Sequence, residues 1–131
     1  MNKAIYFKTS LFDPSKEDEN DINPIYGQSL LIWLRDKLGS ELEFSEIGTE
    51  DWGWYCYINW KGRQYLIGSI AHFEEGDDPN MDTDWIFQVD KTRSFKEVIF
   101  GKEKMTKNDP CFLFFKKYFE EEPQIKDVEI G

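Results

Sequence analysis

Between Glu50 and Ile70 six aromatic side chains (Trp52, Trp54, Tyr55, Tyr57, Trp60 and Tyr65) fall within twenty-one residues, broken by Gly53, Gly62 and Gly68. Aromatic residues in an extended, alternating pattern fit a pleated and half-buried surface. Lys61-Gly62 between two such runs makes a hairpin turn. Period two puts Trp52, Trp54, Cys56, Ile58 and Trp60 on one face of the first strand, and Tyr55, Tyr57 and Asn59 on the other. The return strand, Arg63 to Phe73, sets Tyr65, Ile67, Ser69 and Ala71 against Leu66, Gly68, Ile70 and His72. Both faces are apolar enough to place this ribbon mid-sheet and partly covered on each side. Gly53 and Gly68 are expected to make room for a neighbouring ring, or to form a bulge.

The flanks supply the rest of a domain. Ala4 to Thr9 alternates weakly and reads as a first strand. Asn23-Pro24 opens a helix, with Asn23 as cap and Pro24 in the first turn. Leu30, Leu31, Leu34 and Leu38 form its apolar stripe with Trp33 beside them, and Gly39 ends it in left-handed geometry. Leu42, Phe44 and Ile47 alternate as a strand, and Gly48 to Asp51 turns into the aromatic ribbon. Asp84 to Asp90 is a further strand. Lys91 to Lys107 is polar and locally basic, with Val98-Ile99-Phe100 too short to classify. Asn108-Asp109-Pro110 opens a second helix with Cys111, Phe112, Phe115, Tyr118 and Phe119 on its apolar face. Pro123 stops it, and Ile125, Val128 and Ile130 suit a last strand.

The expected fold is α+β: a two-layer domain with a mostly antiparallel meander sheet and two amphipathic helices on it, in the order β-α-β-β-β-β-α-β. The 131 residues fit one domain. An acidic loop at 13–22, carrying Asp13, Glu17, Asp18, Glu19 and Asp21 against Lys16, is expected to be solvated and mobile.

A formal charge of −10 opposes binding to nucleic acid or to an anionic membrane surface. It favours a basic protein partner, steered in by long-range attraction. Cys56 and Cys111 have neither metal-ligand nor CxxC spacing, and read as buried free thiols in a reducing compartment. The run from Met1 to Tyr6 lacks the apolar stretch of a signal peptide, and no segment approaches the ~20 apolar residues of a membrane span. A cytoplasmic location is the expectation. Neither a cofactor nor a metal is called for.

Few residues suggest chemistry. His72, the one histidine, would become an oriented base if paired with Asp77 or Asp78; an exposed imidazole at a strand end is the plainer reading. Mid-strand burial disarms Cys56 as a nucleophile. Asp78-x-Asn80-x-Asp82-x-Asp84 begins like a calcium loop, yet Thr83 stands where the loop needs Gly and Val89 where it needs Glu. Glu50 and Asp51 are either paired carboxylates or, more simply, acceptors that fix a turn.

The block Glu50-Asp51-Trp52-Gly53-Trp54-Tyr55, then Tyr65-Leu66-Ile67-Gly68 and Trp85-Ile86-Phe87, resembles a group of small bacterial proteins of unknown function. That resemblance spans roughly residues 25–130; it implies a shared fold and a bacterial origin, and carries over no activity. Two functions follow. The first is a non-enzymatic acidic binding protein of the bacterial cytoplasm, of the immunity type that masks a basic partner, through Glu74, Glu75, Asp77, Asp78, Asp82 and Asp84 with Tyr55 and Tyr57 as aromatic anchors. The alternative is an enzyme or small-ligand protein with a pocket between sheet and helices. A homodimer is expected if the sheet face carrying Tyr55 and Tyr57 is left uncovered.

Overall fold

A computed structural model describes residues 3–131; Met1 and Asn2, which begin the amino-terminal run read above, lie outside the described residues. The chain runs β1 (Lys3–Thr9), α1 (Gln28–Leu38), β2 (Glu43–Phe44), β3 (Gly48–Glu50), β4 (Gly53–Trp60), β5 (Arg63–His72), β6 (Thr83–Lys91), α2 (Phe95–Ile99), α3 (Pro110–Glu120) and β7 (Ile125–Ile130). Seven strands form one sheet in the order β2-β4-β5-β6-β1-β7, with β3 also paired to β4, and all pairings are antiparallel. The sheet and the two long helices make the α+β two-layer fold expected from sequence. β4, β5 and β6 are a meander, while β1 is inserted between β6 and β7.

The inner face is built by period-two alternation. Trp54, Cys56 and Ile58 of β4, Tyr65, Ile67, Ser69 and Ala71 of β5, Trp85, Phe87 and Val89 of β6, and Ile5 and Phe7 of β1 are all buried. α1 lays Leu30, Leu31, Leu34 and Leu38 on it, and α3 lays Cys111, Phe112, Phe115 and Phe119. Phe119 meets Phe7 at 4.8 Å and Phe87 at 5.1 Å between ring centroids, and Phe115 meets Phe87 at 5.0 Å. Each fully buried Phe contributes about 1.5–3 kcal/mol, so these rings are the main cohesion between the layers.

Several local expectations are corrected. Both long helices pack on the same face, so among the described residues the ribbon has a helix on one side and not on the other. The other face carries Tyr6, Tyr55, Tyr57, Leu66, Ile70 and Ile86 with no helix over it among the described residues; Tyr6 and Tyr57 are exposed and the rest half-buried. Trp52 does not follow the period of Trp54. It lies in the turn before β4 and folds over Gly68, where an added Cβ would come within 2.5 Å of its ring. Here glycine does make room for an indole. α1 starts at Gln28, four residues after Pro24, because Tyr26 first bridges to Ala71 of β5 in extended pairing. Gly39 is right-handed, with φ −64°, so the left-handed stop is absent.

The segment 13–22 is attached to the rest of the fold through Glu17 and Asn20. Glu17 replaces the missing cap of α1: its carboxylate accepts from the backbone N–H groups of Gly27 (2.8 Å), Gln28 (3.0 Å) and Ser29 (2.8 Å), and from the Ser29 hydroxyl. A negative charge at a helix N-terminus satisfies orphan donors and complements the dipole. Asn20 is buried and donates to the carbonyls of Glu50 and Gly53, both at 3.0 Å, while its own oxygen accepts from Ile22 and Asn23.

Candidate functional site

The tether through Glu17 and Asn20 brings two acidic segments to one place. Asp18, Glu19 and Asp21 line a cleft of about 340 Å³ together with Glu75, from the turn after β5. Ile22, Pro24, Ile25 and Tyr26 line the same cleft, Ile22 and Pro24 exposed, Ile25 and Tyr26 half-buried. An adjoining cleft of about 500 Å³ is lined by Ile25, Tyr26, Ile70 and His72 with Glu74 and Asp77. Tyr26 is fixed between them by its bridge to Ala71 and by a ring contact with Phe73 at 5.3 Å.

The other residues named from sequence are placed elsewhere. Asp77 Oδ2 accepts from the Glu74 N–H and Asp78 Oδ1 from the Asn80 N–H, both at 2.9 Å, so these two carboxylates shape their own turns. Asp82 pairs with Lys126 of β7 at 3.1 Å, and Asp84 lies 3.9 Å from Lys8 of β1. Both are exposed pairs, worth little each. The alternating oxygens of 78–84 therefore point to separate partners. Among the described residues no three His, Cys, Asp or Glu side chains gather as a metal-ligand set. Tyr55 and Tyr57 meet edge to face at 5.8 Å on the open face of β4, and line none of the acidic clefts. Tyr57 lines a different cleft with Glu43, Phe44 and Ser45.

His72 is exposed across the ladder from Asp84, and Asp77 is committed to its turn rather than to the imidazole. Glu50 and Asp51 contribute their backbone carbonyls, which accept from Asn20 and Asn23, not their exposed carboxylates. Cys56 and Cys111 are free and buried. Burial pushes the Cys56 thiol up to about 12, which the charge of Arg35 only partly offsets. Cys111 is driven higher still, by burial and then by the charge of Asp109. Thiolate is the reactive form, so neither thiol is a nucleophile at neutral pH. Both should resist a thiol-specific disulfide reagent in the native protein and react fully in denaturant; rapid native labelling of either would contradict this burial.

Sequence reasoning missed the best-connected polar cluster. Asp109 caps α3, its Oδ1 accepting from Cys111 N–H (2.9 Å) and Phe112 N–H (3.3 Å). Its Oδ2 accepts from the Tyr65 hydroxyl at 2.9 Å and pairs with Lys91 at 3.0 Å. Burial, then the bond to Asp109, pushes the Tyr65 hydroxyl above its ordinary range, the reverse of what a phenolate base requires. All four interactions on one buried carboxylate are structural.

Also missed was α2. Ser94 and Glu97 form a full capping box, and the S-x-x-E spacing was its signal in the sequence. Arg63 clamps Glu97 through two bonds of 3.0 and 2.9 Å. That bond, reinforced by the Ser94 backbone N–H, holds the Glu97 carboxyl down at about 2. Yet the helix buries none of its residues: Phe95 is 81% exposed and Phe100, just after it, 65%.

No helix of the described residues is long and apolar enough to cross a membrane. Comparison with known proteins finds no match, whether to a family model, a curated protein or a solved structure.

Proposed function

We propose that the chain is a non-enzymatic binding protein of the bacterial cytoplasm, of the kind that masks a basic protein partner. The observation that supports this reading is the convergence of Asp18, Glu19 and Asp21 with Glu75 in one cleft that Ile22, Ile25 and Tyr26 also line. A cleft lined by four carboxylates together with Ile22, Ile25 and Tyr26 suits a protruding Lys or Arg flanked by apolar groups. The charge of −10 steers such a partner from a distance. Against the alternative of an enzyme, the space between sheet and helices is filled by Phe7, Phe87, Phe115 and Phe119, and the two thiols are disarmed. Tyr26, not singled out in the sequence, is the aromatic anchor of this reading; Tyr55 and Tyr57, the anchors expected from sequence, lie outside the acidic clefts.

The test is affinity capture at low salt with the wild-type chain and with the double variant Asp21→Lys/Glu75→Lys. Both side chains are exposed, so the fold should tolerate the change. The expected result is a basic protein retained by wild type and lost by the variant, with retention falling as salt is raised. Equal recovery by both chains, or no basic protein at all, overturns the proposal.

A further inference from the structure

From the surface of α2 we infer that this chain pairs with a second copy of itself, the apolar and basic prow at 94–104 of one seating in the acidic cleft of the other. The inference rests on the cleft proposed above as a binding surface and adds an occupant that competes for it.

The prow is built to be presented. A five-residue helix has little stability of its own. Here it is capped by Ser94 and Glu97, clamped by Arg63, and closed off by Arg93 donating to the Lys102 carbonyl at 3.0 Å. All that fixing holds Phe95, Val98, Ile99 and Phe100 outward, at 81%, 51%, 59% and 65% exposure. Contiguous exposed apolar side chains on a rigid mount mark an interface.

Charge names the occupant. Within 94–104 Lys96, Lys102 and Lys104 stand against Glu97 and Glu103, a net +1 in a chain whose total is −10, and Arg63 from β5 pairs with both of those carboxylates. Lys96, Lys102, Lys104 and Lys107 stand exposed around the apolar tip. The complement of an apolar tip with a cationic rim is an apolar hollow with an anionic rim. The cleft that Ile22, Ile25 and Tyr26 line together with Asp18, Glu19, Asp21 and Glu75 combines those two chemistries, and its 340 Å³ admits an aromatic side chain. In a reciprocal pair the prow-in-cleft contact forms twice, which raises the buried area toward what a stable dimer needs. The same pairing covers the cleft until a basic partner displaces it, so masking of the partner would be coupled to dissociation.

The test is light scattering on the full chain at low and high salt. Expected is a mass of at least two 15.6 kDa chains at low salt, falling to one chain at high salt. Phe95→Ser/Phe100→Ser and Asp21→Lys/Glu75→Lys should each give one chain at both salts; all four positions are exposed, and retained far-ultraviolet circular dichroism would show that the fold survives. A wild-type chain that is monomeric at low salt overturns the inference, as does either variant remaining paired. Binding of monomeric wild type to anionic phospholipid vesicles, lost in Phe95→Ser/Phe100→Ser, would overturn it in favour of a lipid surface. Capture of a basic protein by Phe95→Ser/Phe100→Ser, whose cleft is intact, tests the masking role separately from self-pairing.

Discussion

Replacing Asp109 by alanine should destabilise the protein by about 3–5 kcal/mol, the range for removing one partner of a buried ion pair. Three losses coincide. Lys91, only 12% exposed at its side chain, is left with Glu103 at 3.8 Å in place of a partner at 3.0 Å. The Tyr65 hydroxyl loses its acceptor inside the core, and an unpaired buried donor costs about 1–3 kcal/mol. The first turn of α3 loses its cap from Cys111 and Phe112, worth about 1 kcal/mol. These losses overlap, because Lys91 partly recovers on Glu103. Urea unfolding should show the midpoint falling at unchanged slope. Asp109→Asn, which keeps the cap but not the charge, should lie between wild type and Asp109→Ala. A loss below about 1 kcal/mol in Asp109→Ala would show that the ion pair contributes nothing net and that water replaces it.

The contrast between this cluster and the aromatic ribbon explains how far the sequence could be read. Alternation along β4 and β5 is a local signal; it grouped Trp54, Cys56 and Ile58, and Tyr65, Ile67, Ser69 and Ala71, by side of the strand, and those sides are buried, but it did not tell which face the helices cover. The leucine stripe of α1 and the phenylalanine stripe of α3 were legible for the same reason: a single period governs each. What depends on partners far apart in the chain was not. Asp109 looked like a helix cap and nothing more, since Tyr65 lies 44 residues away and Lys91 on another strand. The start of α1 was misplaced because Asn23-Pro24 carries local capping chemistry, yet Glu17 supplies the real cap from outside and Tyr26 is pulled into the sheet.

The candidate surface was legible in part. Acidic loops at 13–22 and after β5 could be seen, but their meeting could not, because it hangs on Asn20 reaching the carbonyls of Glu50 and Gly53. Charge counting treated Asp82 and Asp84 like Glu74 and Glu75, although Lys126 and Lys8 stand beside the first two. Tyr55 and Tyr57 were grouped with the acidic turn by composition, whereas strand parity sends them to the open face. The prow was overlooked because Val98-Ile99-Phe100 is too short a run to classify, and exposure is a tertiary property.

Gly27→Val should cost about 3 kcal/mol, the upper end of the usual range for forcing volume into a packed site. A Cβ at position 27 would stand 2.2 Å from the Ser69 carbonyl oxygen and 2.7 Å from its carbon, and backbone of a central strand has nowhere to retreat. The helix N-terminus must move instead. Such movement strains the Ala71 N–H bond to the Tyr26 carbonyl (2.8 Å), the Trp54 indole bond to the Ile25 carbonyl (2.9 Å) and the Glu17 cap at once. Those three contacts carry the segment 17–26, so the effect should reach beyond stability. Hydrogen exchange should speed up at the amides of Gly27, Gln28, Ser29 and Ala71, while the amides of β6, on the far side of β5, stay protected. Capture of a basic protein should fall with it, because Asp18, Glu19 and Asp21 no longer face Glu75. If Gly27→Val unfolds within about 0.5 kcal/mol of wild type, the seating of α1 on β5 is looser than the close approach requires, and the cleft loses the scaffold that assembles it.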